Sequence, residues 1–281
     1  MATLRSIRKR IGSVRNTRQI TRAMKLVAAA KLRRAQESVF AARPYANEIA
    51  KVLGRIVRGL DVETHPLLLR RDPRRVEILI VVSDRGLCGG FNANVLRRAE
   101  AFLLEREPAA VEVRVSVVGR KARDYFRRRR RDLRKVVTDV RGGPDSALAA
   151  EIADELIARY TAEEVDEVYV LYGAFRSAIA QRPTVERLLP IGNLAATEAA
   201  PEEGGVEYKF EPSASALLAH LLPRYVQAQV YHALLESAAS EQGARMTAMD
   251  AATNNASEMI DRLTLVYNRA RQAAITTELV E

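Results

Sequence analysis

The residues with the best claim to chemistry lie in one short stretch, residues 83–92, reading SDRGLCGGFN. Gly86, Gly89 and Gly90 follow an apolar run and precede a helical pattern, which is where a phosphate-binding loop would sit. The spacing is not G-x-G-x-x-G, and no G-x-x-x-x-G-K-[ST] occurs anywhere in the chain. A tight turn that needs glycine backbone freedom is therefore favoured over a phosphate cradle. Asp84 and Arg85 beside it can pair with each other or with a partner. Cys88, the single cysteine, has no histidine near it in sequence to serve as its base. His65, His220 and His232 stand in separate segments without metal-ligand spacing. Residues 127–131 (RRRRR) are the strongest nucleic-acid signal, yet only Tyr125 and Phe126 accompany them, with no zinc-finger or leucine-zipper pattern. A solvated helix face, or a contact with anionic headgroups or carboxylates, fits that run equally well. No catalytic constellation emerges, and no metal or cofactor is expected.

What must position these residues is dominated by the two ends of the chain. Leu4, Ile7, Ile11 and Val14, then Ala28, Leu32, Ala35, Val39, Ala42, Ala46, Ile49, Leu53, Ile56 and Leu60, form a ladder of alternating threes and fours. Such a ladder is the seam of a long helix lying against another helix. Between Val14 and Ala28 its rungs are Arg18, Thr21 and Lys25, and the apolar stripe is expected to step sideways to Ile20, Met24 and Val27. From Met246 the ladder returns at Met249, Thr253, Ala256, Ile260, Leu263, Tyr267, Ala270 and Ala274. Antiparallel pairing of the two ends would bring the termini together at one tip, with Pro44 and Pro223 kinking the helices. The seams are rich in Ala, Thr and Met where an independently stable coiled coil would carry Leu and Ile. This favours a shaft enclosed by a partner.

Charge follows the same division. The chain has 281 residues with 45 Lys+Arg and 35 Asp+Glu, a formal net charge of +10. Residues 1–60 hold 15 basic and 2 acidic side chains, whereas residues 213–281 hold 5 basic and 7 acidic. An excess of that size on one helix calls for an anionic surface: nucleic acid, lipid headgroups or acidic protein. No apolar run is long enough to span a bilayer, and no signal region follows the basic N-terminus. With one cysteine there is no intrachain disulfide, and a cytoplasmic, reducing location is expected.

Between the ends, short β-branched runs alternate with helical patterns. Strands are expected at residues 76–82, 111–118, 136–140 and 165–172, with an edge strand at 184–189 and a closing one at 206–210. Helices are expected at 93–105, from 119 through 131, and at 144–160. This alternation predicts a parallel sheet covered by helices. The division expected is a helix over 1–62, a linker over 63–75, a central α/β domain over 76–212 and a second long helix over 213–281 capped by Ser213. The fold class is α/β plus a long antiparallel coiled coil.

Three segments then carry a resemblance: residues 7–34 (IRKRIGSVRNTRQITRAMKLVAAAKLRR), the SDRGLCGGFN turn, and residues 241–278 (EQGARMTAMDAATNNASEMIDRLTLVYNRARQAAITTE). Over essentially its full length the chain resembles the gamma subunits of F-type, proton-translocating ATP synthases. The resemblance implies a non-catalytic rotor shaft inside a hexamer of alternating alpha and beta subunits. It implies a central domain that grips the epsilon subunit and stands on the membrane ring of c subunits, at the cytoplasmic face of a bacterial cell membrane. It also implies that the shaft helps regulate ATPase activity. Matching positions implied to face the hexamer are Met24, with Lys25 beside it, Arg245, Arg271, Gln272 and Thr276. The family commonly continues a few residues past the position of Glu281, implying a shorter bearing contact here, and no cysteine pair for redox control is present. From another class, the charge pattern leaves open a basic coiled-coil nucleic-acid-binding protein. A dinucleotide-dependent enzyme built on the middle domain is not expected.

Overall fold

The computed structural model describes residues 3–58, 65–108, 110, 112–140, 143–192, 211 and 213–280, the last four of these by backbone alone. Helix α1 (Leu4–Arg58) and helix α5 (Ala214–Val280) frame the chain. At 1.5 Å per residue they are about 80 and 100 Å long. Pro44 and Pro223 lie inside them without ending either helix. Ser213 opens α5 as its sequence position promises, its hydroxyl accepting from Ala216 N at 3.2 Å.

Between them lie β1 (Arg75–Val81), α2 (Phe91–Arg106), β2 (Glu112–Val118), α3 (Arg120–Arg128), β3 (Lys135–Val137), α4 (Ser146–Thr161), β4 (Glu167–Phe175) and β5 (Gln181–Leu189). The strands form one sheet in the order β3-β2-β1-β4-β5. The first four run parallel, but β5 pairs antiparallel with β4. The parallel sheet expected from the sequence is there, and the edge strand expected at 184–189 joins it antiparallel. The cause is connection length: the few residues between β4 and β5 cannot make the crossover that a parallel neighbour needs. Of the expected closing strand, residues 206–210 lie outside the described residues.

Each sheet face has its own core. On one, Ile78, Ile80, Val115, Val117 and Leu171 meet Phe91, Val95 and Phe102 of α2 and Ala122 and Phe126 of α3. On the other, Leu79, Val81, Val168, Val170 and Tyr172 meet Ile152 and Leu156 of α4, Ile49, Leu53 and Ile56 of α1, and Leu218, Leu222, Val226 and Val230 of α5. The long helices are therefore not appended to the sheet. Their inner ends complete its core, and α1 is set against α5 by that shared packing.

Candidate functional site

Above the sheet the two helices run on together, antiparallel. Thr21 meets Thr253 at 2.8 Å, Lys25 meets Asp250 at 2.6 Å, and Arg43 meets Glu236 at 3.5 Å, so positions rising in one helix fall in the other. Two apolar patches hold the pair. Near the sheet, Leu32 and Val39 pack on Leu235 and Ala239. At the far end, Ile7 and Ile11 pack on Ile260, with Leu263, Tyr267 and Ala270 beside them.

Between these patches Thr21 and Lys25 stand in the seam beside the buried Ala28, Met249 and Ala256, and the seam does not move sideways as the apolar pattern predicts. Thr21 is buried while Ile20 and Val27 face solvent. The reason is that Thr21 and Lys25 each find a partner directly across, so these polar residues keep the seam, Ile20 and Val27 are turned outward and Met24 is half-buried at its side. Ile20, Leu26 and Val27 on α1, and Met259, Leu265, Val266 and Ile275 on α5, are all exposed on this projecting rod. Apolar residues spread around a helix pair, with arginines between them, form a surface made to be covered.

The predicted site residues divide into three groups. Met24 and Lys25 are half-buried on the rod, and Lys25 is engaged by Asp250 across the seam. Arg271, Gln272 and Thr276 are exposed where α5 runs on past the Tyr267–Ala270 end of the seam, and the Thr276 hydroxyl donates to Gln272 O at 2.9 Å. Arg245 is different: it turns inward, 2.6 Å from Glu241, and donates to Gly86 O at 3.2 Å. The structure thus joins Arg245 to the glycine turn, a link that no spacing in the sequence announces.

Of the three glycines, only Gly89 takes a left-handed conformation, φ +55°, and it faces Ala244 and Ala248 of α5. Gly90 is right-handed at φ −83° and opens α2. Leu87, a non-glycine, is the second left-handed residue of the turn at φ 61°. Inside it, the Ser83 hydroxyl donates to Arg85 O at 2.5 Å, and Asn92 Nδ2 donates to Cys88 Sγ at 3.1 Å. Cys88 is buried, and that burial pushes its thiol pKa up, away from nucleophilic chemistry. Burial likewise pushes the Glu241 carboxyl up, against the pull of Arg245.

In a sheet of this order a ligand would enter outside the carboxyl ends of β1 and β4, where the direction of connection reverses. That place is filled by α5. The Ser237 hydroxyl donates to Val81 O at 3.4 Å, and Glu236 accepts from Phe175 N at 2.6 Å. The turn that resembles a nucleotide loop therefore serves as a seat for a helix. Among the described residues there is no group of three metal-ligating side chains, and no helix long and apolar enough to cross a membrane.

A rod that finishes the core of its own sheet, fills the ligand crevice and bares apolar residues beyond it can be compared with known proteins. The ATP synthase family pattern matches residues 3–281. The ATP synthase gamma chain of Geobacter metallireducens is 53% identical over 281 residues, covering 100% of this chain and 96% of the relative. That of Desulfitobacterium hafniense is 51% identical over 281 residues, covering 100% and 97%. The chain belongs to the ATP synthase gamma chain family.

Solved structures agree in shape. The central stalk of the Tetrahymena thermophila mitochondrial ATP synthase, solved with its c-ring, matches with a TM-score of 0.64 at 26% identity, over 83% of this chain and 99% of that one. A rotor chain of the Euglena gracilis mitochondrial enzyme matches with a TM-score of 0.67 at 17% identity, over 97% and 98%, a likeness of fold. As a gamma chain, this protein is a non-catalytic subunit of the synthase and the rotor of its central stalk. The surface of the rod and the junction that ties it to the sheet are accordingly the candidate functional site.

Proposed function

We propose that the projecting rod turns inside a hexamer of alternating alpha and beta subunits, while the central α/β domain grips the epsilon subunit and stands on the membrane ring of c subunits. Proton flow turns the ring, the ring turns the sheet domain, and the rod presents a changing face to each catalytic subunit in turn. Only contacts that differ between partner conformations can shift their equilibria, so the asymmetry of the rod is the working feature. The single observation that carries this reading is the apolar surface bared around the rod by Ile20, Leu26, Val27, Leu265 and Val266. A helix pair whose seam is interrupted by a threonine layer and a lysine–aspartate pair, and whose outside is so apolar, is stable in an enclosing sleeve. The basic α1 suits acidic loops at the base of that sleeve.

In this reading Met24, Lys25, Arg271, Gln272 and Thr276 face the hexamer. Arg245 acts from within the junction, through Gly86. The division into helices over 1–62 and 213–281 around a domain at 76–212, with a linker at 63–75, is the working anatomy. The assembled subunit sits at the cytoplasmic face of a bacterial membrane as a peripheral component, and through its contacts it helps regulate ATP hydrolysis.

The test is reconstitution of alpha and beta subunits with and without this chain. Co-purification and stimulated ATP hydrolysis are expected; neither appearing would reject the reading. Met24→Lys sharpens it: a new ammonium facing acidic loops would form an ion pair in some rotary positions and raise the barriers between them. Proton-coupled synthesis is expected to fall more than assembly does. Equal losses would place Met24 in assembly alone.

A further inference from the structure

Where the rod leaves the sheet, four side chains of α5 bond to backbone atoms of the α/β domain. Glu236 accepts from Phe175 N at 2.6 Å, and the hydroxyls of Ser237 and Thr247 donate to Val81 O at 3.4 Å and Ala178 O at 3.0 Å. Arg245 donates to Gly86 O at 3.2 Å. The acceptors and donors belong to the ends of β1 and β4, the glycine turn and the β4–β5 hairpin. Gly243 allows the close approach: a Cβ there would lie 3.2 Å from Ala178 Cα. Glu236 is the most enclosed of the charged ties, with its side chain 6% exposed against 11% for Arg245. Its other oxygen lies 3.5 Å from Arg43 of α1 and 3.5 Å from His232. One carboxylate thus touches both rod helices and the sheet.

We propose that this row of bonds is the joint through which torque passes between rod and sheet domain, with Glu236 as its chief positioning residue. Below it, α5 meets the sheet through Val226, Val230, Ala233 and Leu234, an apolar contact without directional preference. Beyond Ala248 the polar and apolar contacts of α5 run to α1. A hydrogen bond, unlike apolar packing, weakens steeply as its angle departs from the line of donor and acceptor. A polar group placed in an otherwise apolar seam likewise fixes register. Bonds to backbone atoms at strand ends are the means by which a helix turning about its own axis carries a sheet with it. The absence of an unpaired carboxylate matters too: Glu236 has a backbone N–H, the Arg43 guanidinium and the His232 ring in reach, so its burial holds the helix in one rotational setting.

The inference rests on the rotor reading, and the experiment separates the two. The complete synthase carrying the variant is held with its hexamer fixed and stalled, a bead is attached to the sheet domain, and the thermal angular variance of the bead is recorded. The joint has four ties, from Glu236, Ser237, Thr247 and Arg245, so losing one removes about a quarter of their combined stiffness and raises the joint's variance by about a third if the ties are alike and act independently. Glu236→Ala is expected to give that rise, and Glu236→Gln to reverse most of it, because an amide oxygen still accepts from Phe175 N–H while the Arg43 ion pair is lost. Glu37→Gln, on an exposed carboxylate paired within α1 to Arg33, is expected to leave it unchanged. Should Glu236→Ala fail to assemble, Thr247→Val gives the same reading from another tie. Unchanged variance in either, or a glutamine variant as loose as the alanine one, overturns the joint. An unmodified chain that does not enter the hexamer overturns the rotor reading instead.

Discussion

The two halves of α5 are one helix built for two solvents. Its first half turns Leu218, Leu222, Val226, Val230, Ala233 and Leu234 into the sheet core, each 3% exposed or less. Its second half buries Met249, Ala256 and Ile260 against α1 while Met259, Leu265, Val266 and Ile275 remain exposed. Both halves are strongly helical and both contain leucine. What separates them is what stands opposite: a sheet and α4 for one, a single narrow helix for the other. A two-helix contact covers one stripe of each partner, and the rest of the apolar surface stays in water until another chain covers it. The first half is thus folding core and the second is interface.

Substitution at equivalent leucine-like positions should therefore have unequal cost in the isolated chain. Leu222→Ala opens a cavity in a closed core and is expected to lower unfolding free energy by about 3–4 kcal/mol. Ile260→Ala loosens a seam with solvent on both sides and is expected to cost less than about 2 kcal/mol, with faster amide exchange confined to the rod. Urea unfolding followed by hydrogen exchange measures both. Equal costs would mean that the rod is as closed as the sheet core and needs no sleeve.

Ion pairs sharpen the same contrast. Asp166, buried at the amino ends of the neighbouring strands β1 and β4, accepts from Arg75 N at 2.7 Å and from Arg75 Nη2 at 2.7 Å. Burial alone would raise its pKa, but those bonds outweigh it and hold the carboxyl below its usual value. The sign follows: the stabilisation is present above the unfolded aspartate pKa, about 3.9, and is lost as pH falls through the lower folded value. Asp166→Asn is expected to cost about 2 kcal/mol at neutral pH and to flatten the acid limb of the stability curve. The rod pair Lys25–Asp250 is 39% and 47% exposed, and Asp250→Asn should cost less than about 1 kcal/mol, falling further with added salt. A salt-sensitive Asp166 or a costly Asp250 would erase the distinction.

The seams of both helices and most strands were legible because each rests on a period that one segment displays by itself. Ile7, Ile11, Leu32, Val39 and Ile260 all lie where the ladder puts them. The direction of β5 was not legible, since it depends on how few residues join it to β4. The outward turn of Ile20 and Val27 was hidden for another reason: only the facing Thr253 and Asp250 make Thr21 and Lys25 better seam residues than their apolar neighbours. The inward turn of Arg245 needed the same kind of knowledge, because Glu241 is local but Gly86 is far away in the chain. Sequence periodicity reports which face is apolar. It does not report which polar side chains meet across space.

The Thr21–Thr253 layer carries the smallest expected effect and the most pointed test of the rod. Thr253 donates to Met249 O at 2.7 Å, so Thr21→Val leaves it with a satisfied proton, and valine fills the volume of threonine. The change in stability should stay within about 1 kcal/mol in either direction. Register is another matter. The two apolar patches of the rod lie on either side of this layer, and small apolar rungs there would accept neighbouring alignments that a hydroxyl pair rejects. With spin labels on the exposed positions Arg22 and Asn254, the inter-helix distance distribution of Thr21→Val is expected to broaden while the melting temperature barely moves. A large stability loss with an unchanged distribution would show that the layer holds the helices together without choosing their alignment.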